Sequence, residues 1–96
     1  MDNVEKEIYK IREEIDEIDF RIIKLLKIRM QYALEIAHIK KENDMKITDS
    51  KREKQLIKSR KVKAKNNELR EKFAKKLFQI ILNESKKIQK KGKTNF

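Results

Sequence analysis

Residues 4–39, VEKEIYKIREEIDEIDFRIIKLLKIRMQYALEIAHI, decide the fold. One helical seam runs through Val4, Ile8, Ile11, Ile15, Ile18, Ile22, Leu25, Arg29, Tyr32, Ile36 and Ile39. Its steps alternate between four and three residues, the spacing of a helix that packs along its whole length. Every seam position is apolar or aromatic except Arg29. A guanidinium stays charged, and burying it unpaired is very costly. Arg29 therefore requires an anion, from the protein or from a ligand.

Around the seam, Asp2 or Asn3 is the expected N-cap, and helix 1 is expected to reach about Glu42. Such a helix is about 60 Å long, far longer than a domain of this size is wide. Only part of it can pack on its own chain, so the length demands a second copy. Its polar face carries Glu13, Glu14, Glu17, Arg21, Lys24 and Lys27. Asn43 and Asp44 are turn formers that should end the helix. Ser50-Lys51-Arg52-Glu53 reads as a capping box, with Asp49 as the alternative cap, so helix 2 should start near Ser50 and run to about Lys63. Its thin apolar face is Leu56, Ile57 and Val62. Asn66-Asn67 marks the next break, and helix 3 is expected from about Glu68 to Gln89. Its apolar positions are Leu69, Phe73, Leu77, Ile80, Ile81 and Ile88, flanked by Ala74, Phe78 and Leu82. Tyr32 and Phe73 read as core. The expected organisation is one domain over residues 1–89 and a disordered basic tail over 90–96.

Composition agrees with an all-α chain. Among 96 residues there are one Gly, no Pro, no Cys and no Trp, and 45% are charged. That excludes disulfides, thiolate metal sites and cysteine nucleophiles, and it argues against sheets and Gly-rich phosphate loops. A cytoplasmic location is expected, with no secretory signal and no membrane span. The net charge of +11 is uneven: residues 1–50 carry 10 Lys/Arg and 12 Asp/Glu, residues 51–96 carry 17 and 4. The basic half suits a polyanion or simply a solvated lysine-rich surface.

The chemistry must come from charged groups on inward faces. Lys40 follows Arg29 by eleven residues, which returns it to within about 20° of the same face, about 16 Å along the axis. Two long cationic side chains there can grip one small anion. Arg12 is about 25 Å from Arg29 along the same helix and turned off that face. An antiparallel pair of long helices changes this, because it sets Arg12 of one chain opposite residue 31 of the other, beside Arg29. Helix 3 adds Ser85 and Gln89, four apart on one face, and the start of helix 2 adds Arg52 and Glu53. Several cations, a carboxylate, a hydroxyl and a neutral amide suit a small dianion that carries a hydroxyl.

Five blocks in register then resemble one family. They are Ile11-Arg12-Glu13-Glu14-Ile15-Asp16-Glu17-Ile18-Asp19, Leu25-Leu26-Lys27-Ile28-Arg29-Met30, Ile36-Ala37-His38-Ile39-Lys40, Asp49-Ser50-Lys51-Arg52-Glu53, and Leu77-Phe78-Gln79-Ile80-Ile81 with Ser85 and Gln89. Together, over about residues 4–89, they look like an all-helical (AroQ-class) chorismate mutase. The resemblance implies an intertwined homodimer of three-helix chains, one helix long, one short and one medium, with the long helices antiparallel. It implies conversion of chorismate to prephenate by a Claisen rearrangement in aromatic amino-acid biosynthesis, with no cofactor and no metal. Arg12 of the neighbouring chain and Arg29 would bind the two carboxylates of the substrate. Lys40 and Gln89 would contact the ether oxygen, and Glu53 the ring hydroxyl. Asp49 and Arg52 would shape that corner, with Ser85 assisting at a carboxylate.

Two departures from the family pattern stand out. Met30 occupies a position where a second basic residue is common, and Lys86 and Lys87 lie between Ser85 and Gln89 where apolar or small residues are usual. The rival readings are an isochorismate-pyruvate lyase of the same fold and a non-enzymatic helical dimer that binds nucleic acid through residues 51–65. His38, the single histidine, and Asp19 receive no catalytic role.

Overall fold

In the computed structural model, which describes residues 2–92, the chain folds into three helices: α1 (Asn3–Glu42), α2 (Ser50–Asn66) and α3 (Glu71–Lys91). Local chemistry sets the ends of α1. Asp2 caps it, its carboxylate accepting the Glu5 N–H at 2.8 Å, and Lys40 and Lys41 complement the dipole in the last turn. At its C-terminus Asp44 takes a left-handed φ of 52°, and the Met45 N–H reaches back to the Lys40 carbonyl at 2.8 Å. This is a Schellman closure made without glycine. α2 ends the same way: Glu68 adopts φ 62°, and the Leu69 N–H bonds the Ala64 carbonyl at 2.8 Å. α3 ends at Gly92, also left-handed. The helix thus continues through Lys90 and Lys91, where the sequence suggested a tail, and residues 93–96 lie outside the described residues.

Helix α2 starts at Ser50 as expected but runs to Asn66 rather than Lys63, and its cap is the alternative the sequence offered. Asp49 rather than Ser50 caps α2, accepting the Arg52 N–H at 3.0 Å, so Ser50 is already inside the helix. A carboxylate at the N-cap also meets the positive end of the dipole, which a hydroxyl does not. Helix 3 starts at Glu71 rather than Glu68, because Glu68 is spent on the left-handed closure of α2 and Arg70 is extended.

α3 lies between the other two helices and packs on both, while α1 and α2 do not approach each other closely. The main cluster joins Met30 and Leu34 of α1 to Ile81 and Ile88 of α3, with Leu26 and Phe78 at its edges. On α3 the buried stripe is Ala74, Ile81, Ser85 and Ile88. Leu56 and Ala64 bury the inner face of α2. On α1 the buried residues are Met30, Ala33, Leu34 and Ala37, a stripe beside the seam rather than the seam itself. The two alanines let the α3 backbone come close.

The seam remains open. Ile15 and Ile18 are 49% and 54% exposed, and the residues expected in the core, Tyr32 and Phe73, are 62% and 48% exposed. Their neighbours on both helices, from Val4 to Ile39 on α1 and at Leu77 and Ile80 on α3, are exposed too. The chain is 62 Å in its longest dimension and 14 Å in its shortest, and the first half of α1 projects with its apolar seam uncovered. Contiguous apolar surface of this extent marks an interaction face. Among the described residues, no helix is long and apolar enough to cross a membrane.

Candidate active site

The gap between α1 and α2, floored by α3, is a cavity of about 430 Å³, within the usual range for a small-molecule site. Each helix contributes at helical spacing. α1 supplies Arg29, Tyr32, Ala33, Ile36 and Lys40; α2 supplies Arg52, Glu53, Leu56 and Arg60, with Asp49 at its cap; α3 supplies Leu82, Ser85, Lys86 and Gln89. Seven of the eight residues expected in the site therefore line one cavity: Arg29, Lys40, Asp49, Arg52, Glu53, Ser85 and Gln89. The eighth, Arg12, is exposed on the projecting half of α1 and lies outside this cavity within one chain.

The polar groups are held in place. Arg29 donates from Nη1 to the Ser85 hydroxyl at 3.0 Å, and Ser85 in turn donates to the Ile81 carbonyl at 2.9 Å. Ser85 is the one buried polar side chain among the described residues, set in the core stripe of α3, and this pair of bonds satisfies it. Lys40 Nζ donates to the Ile47 carbonyl at 2.9 Å, which ties the end of α1 to the loop before α2. Gln89 Nε2 donates to the Ala33 carbonyl at 2.9 Å, which bridges α3 to α1. An ammonium has three N–H groups and a primary amide two, so each anchor keeps at least one donor for a ligand.

Lys86, singled out in the sequence as a departure, faces the cavity and pairs with Glu53 at 2.9 Å. Lys87 is exposed and does not line it. Glu53 is thus not the partner in a capping box. Its carboxylate is held across the α2–α3 gap, with lone pairs left to accept from a hydroxyl.

Five cationic side chains and two carboxylates line the cavity, leaving it three charges positive. Burial lowers the pKa of Arg29, and the positive charges of Arg60 and Arg52 push in the same direction. The cavity lining therefore works against its own charge, and an anion relieves that cost. Arg60 was not foreseen, although its position was readable: Arg52, Leu56 and Arg60 follow at steps of four and share one face of α2. The apolar walls Ile47 and Leu82 carried no separable sequence signal.

A larger groove, about 820 Å³, runs between α2 and α3 past Lys54, Lys58, Lys61 and Lys75. Among the described residues none of these lysines is held by a side-chain hydrogen bond or ion pair. Glu53 lines this groove too, but the bonds that hold Arg29, Lys40 and Gln89 are in the smaller cavity.

Comparison with known proteins gives the same direction. Residues 11–90 match the chorismate mutase type II family. A chorismate mutase from Methanocaldococcus jannaschii is 34% identical over 85 residues, covering 88% of this chain and 86% of the relative. A bifunctional chorismate mutase/prephenate dehydratase from Buchnera aphidicola subsp. Acyrthosiphon pisum is 39% identical over 80 residues, covering 83% of this chain and 21% of the relative. The counterpart from subsp. Schizaphis graminum is 38% identical over 85 residues, 88% of this chain and 22% of the relative. The chain thus spans about a fifth of the length of the bifunctional relatives and most of the length of the archaeal one. The matched residues include every residue that lines the cavity, and the chain belongs to the chorismate mutase type II family.

Proposed function

We propose that the chain is a chorismate mutase that converts chorismate to prephenate, working as a cytoplasmic homodimer in aromatic amino-acid biosynthesis. The observation that carries the proposal is the cavity between α1 and α2, where net positive charge, one free carboxylate edge and two partly free neutral or cationic donors converge. The rearrangement is pericyclic, so it needs no nucleophile and no proton transfer. What it needs is a dianion folded with its enolpyruvyl arm over the ring. Arg29, with Ser85 behind it, clamps one carboxylate through the planar guanidinium fork. Arg12 of the second chain clamps the other. Holding both ends converts a floppy substrate into a near-attack conformer.

As the ether bond breaks, negative charge grows on its oxygen. Lys40 and Gln89 donate there, each already fixed by a bond to a backbone carbonyl, so little reorganisation accompanies the reaction. Glu53, steadied by Lys86, accepts from the ring hydroxyl, and Asp49 and Arg52 form the adjoining corner.

The open seam supports the dimer. A second α1 laid antiparallel across the whole seam, Val4 opposite Ile39, covers the exposed isoleucines and carries Arg12 to the cavity of the first chain, so two equivalent sites form from two chains. Purified protein incubated with chorismate, with no added metal or cofactor, should deplete its ultraviolet absorbance and yield prephenate. No loss of chorismate sinks the proposal. Pyruvate from isochorismate, with chorismate untouched, would assign the lyase reaction instead.

A further inference from the structure

Arg60 lines the same cavity as Arg29 and Arg52 and is half-buried there. Its guanidinium carbon lies 5.7 Å from the centroid of the Phe78 ring, so the plate rests on an aromatic face with its edges available. Its side-chain hydrogen bond goes to the neighbouring Ser59 hydroxyl at 3.2 Å, which uses one of five N–H groups. Among the described residues no carboxylate forms an ion pair with Arg60, since the one ion pair is Lys86 with Glu53. Its charge adds to the burial that lowers the pKa of Arg29, which lines the same cavity. Two guanidiniums that face one cavity, neither of them in an ion pair among the described residues, repel, and a shared anion turns that repulsion into a binding site.

We propose that Arg60 is a further substrate-binding residue, whose guanidinium fork joins Arg29 and Ser85 in holding one carboxylate of the dicarboxylate substrate. The proposal rests on the mutase reading of this cavity. Phe78 fixes the plate from below, as Ser85 fixes Arg29, so both cations are positioned before the ligand arrives. Because the carboxylate is charged both in bound substrate and in the transition state, Arg60 contributes mainly to KM.

The test compares wild type, Arg60→Met and Arg60→Lys in chorismate turnover, with circular dichroism melts alongside. Methionine keeps an apolar stem on Phe78, so the fold should persist. The expected result is a fall in kcat/KM of about 10- to 100-fold for Arg60→Met, mostly through KM. Arg60→Lys retains charge without the fork and should raise KM severalfold, less than methionine does. A purely structural role would lower the melting point and leave the KM of the folded fraction unchanged. Arg60→Met within threefold of wild-type kcat/KM overturns the proposal. Should the methionine variant not fold, Arg60→Lys decides: a wild-type KM overturns the proposal and a raised KM supports it. Absence of turnover by the wild type itself would sink the mutase reading, whereas an active wild type with indifferent Arg60 variants sinks this inference alone.

Discussion

Replacing Arg29 by Met should separate activity from stability. In the structure Arg29 makes one side-chain bond, to Ser85 at 3.0 Å, and its pKa is lowered first by burial and then by Arg60 and Arg52. A base whose folded pKa lies below its unfolded value weighs against the fold at every pH below the folded value. Charged Arg29 therefore costs stability across the whole working range. The methionine variant loses a hydrogen bond worth about 1 kcal/mol but also loses that burden, and the Ser85 hydroxyl still donates to the Ile81 carbonyl. The melting temperature at fixed protein concentration should stay within about 5 °C of wild type, or rise. Activity should behave otherwise. A guanidinium fork on a carboxylate makes two charge-assisted bonds of about 1.5–3 kcal/mol each, so kcat/KM should fall by about 10² to 10⁴. The assay is chorismate loss by ultraviolet absorbance, paired with a thermal melt. A variant within about tenfold of wild-type kcat/KM refutes the clamp, and a variant that melts far lower shows that Arg29 holds the fold rather than a ligand.

Other outcomes follow from the same geometry. Ile18→Asp places a charge in the exposed seam; if a second chain covers that seam, sedimentation should show monomers, and an unchanged dimer would mean the seam is not the interface. Glu68→Gly relieves a left-handed φ of 62° and should raise stability by about 1 kcal/mol in a denaturant titration, whereas a loss would show that the Glu68 side chain matters more than its backbone. Gln89 is an amide that needs no added proton to donate, so kcat should be level from mildly acidic to neutral pH. Gln89→Glu should lose rate as pH rises through its carboxyl pKa; a wild-type rate that itself collapses over that range contradicts the assigned role.

How much was legible in the sequence depended on what each residue answers to. The α1 seam and the placement of Arg29 and Lys40 on one face follow from helical periodicity, which one chain expresses by itself, whereas Ser85 and Gln89 carry little signal without the family resemblance; the structure shows all four lining one cavity. Which stripe of α1 meets α3 was not legible, because Ala33 and Ala37 carry little hydropathic signal but permit close approach. Tyr32 and Phe73 read as core because periodicity marks apolar faces without saying which partner covers them, and within one chain both are exposed. Helix α2 starts at Ser50 as expected, while its end, Asn66 rather than Lys63, and the start of α3, Glu71 rather than Glu68, differ for a local reason. Asp44 and Glu68 take left-handed conformations that sequence reasoning reserves for glycine or asparagine, and Asp49 outcompetes Ser50 as a cap. The Lys86–Glu53 pair and Arg60 over Phe78 are contacts between α2 and α3, and the spacing within one helix does not reveal which residues of another it meets.

The idea that two chains share each site can be tested by mixing. Arg12→Ala and Arg29→Met would each be nearly inactive as homodimers. Unfolded together and refolded at equal concentration, about half the dimers are mixed, and each mixed dimer has one site with both arginines intact. Chorismate turnover should then recover to about a quarter of the wild-type rate per chain. A mixture no more active than the two parents would contradict a site in which Arg29 of one chain and Arg12 of the other hold one substrate.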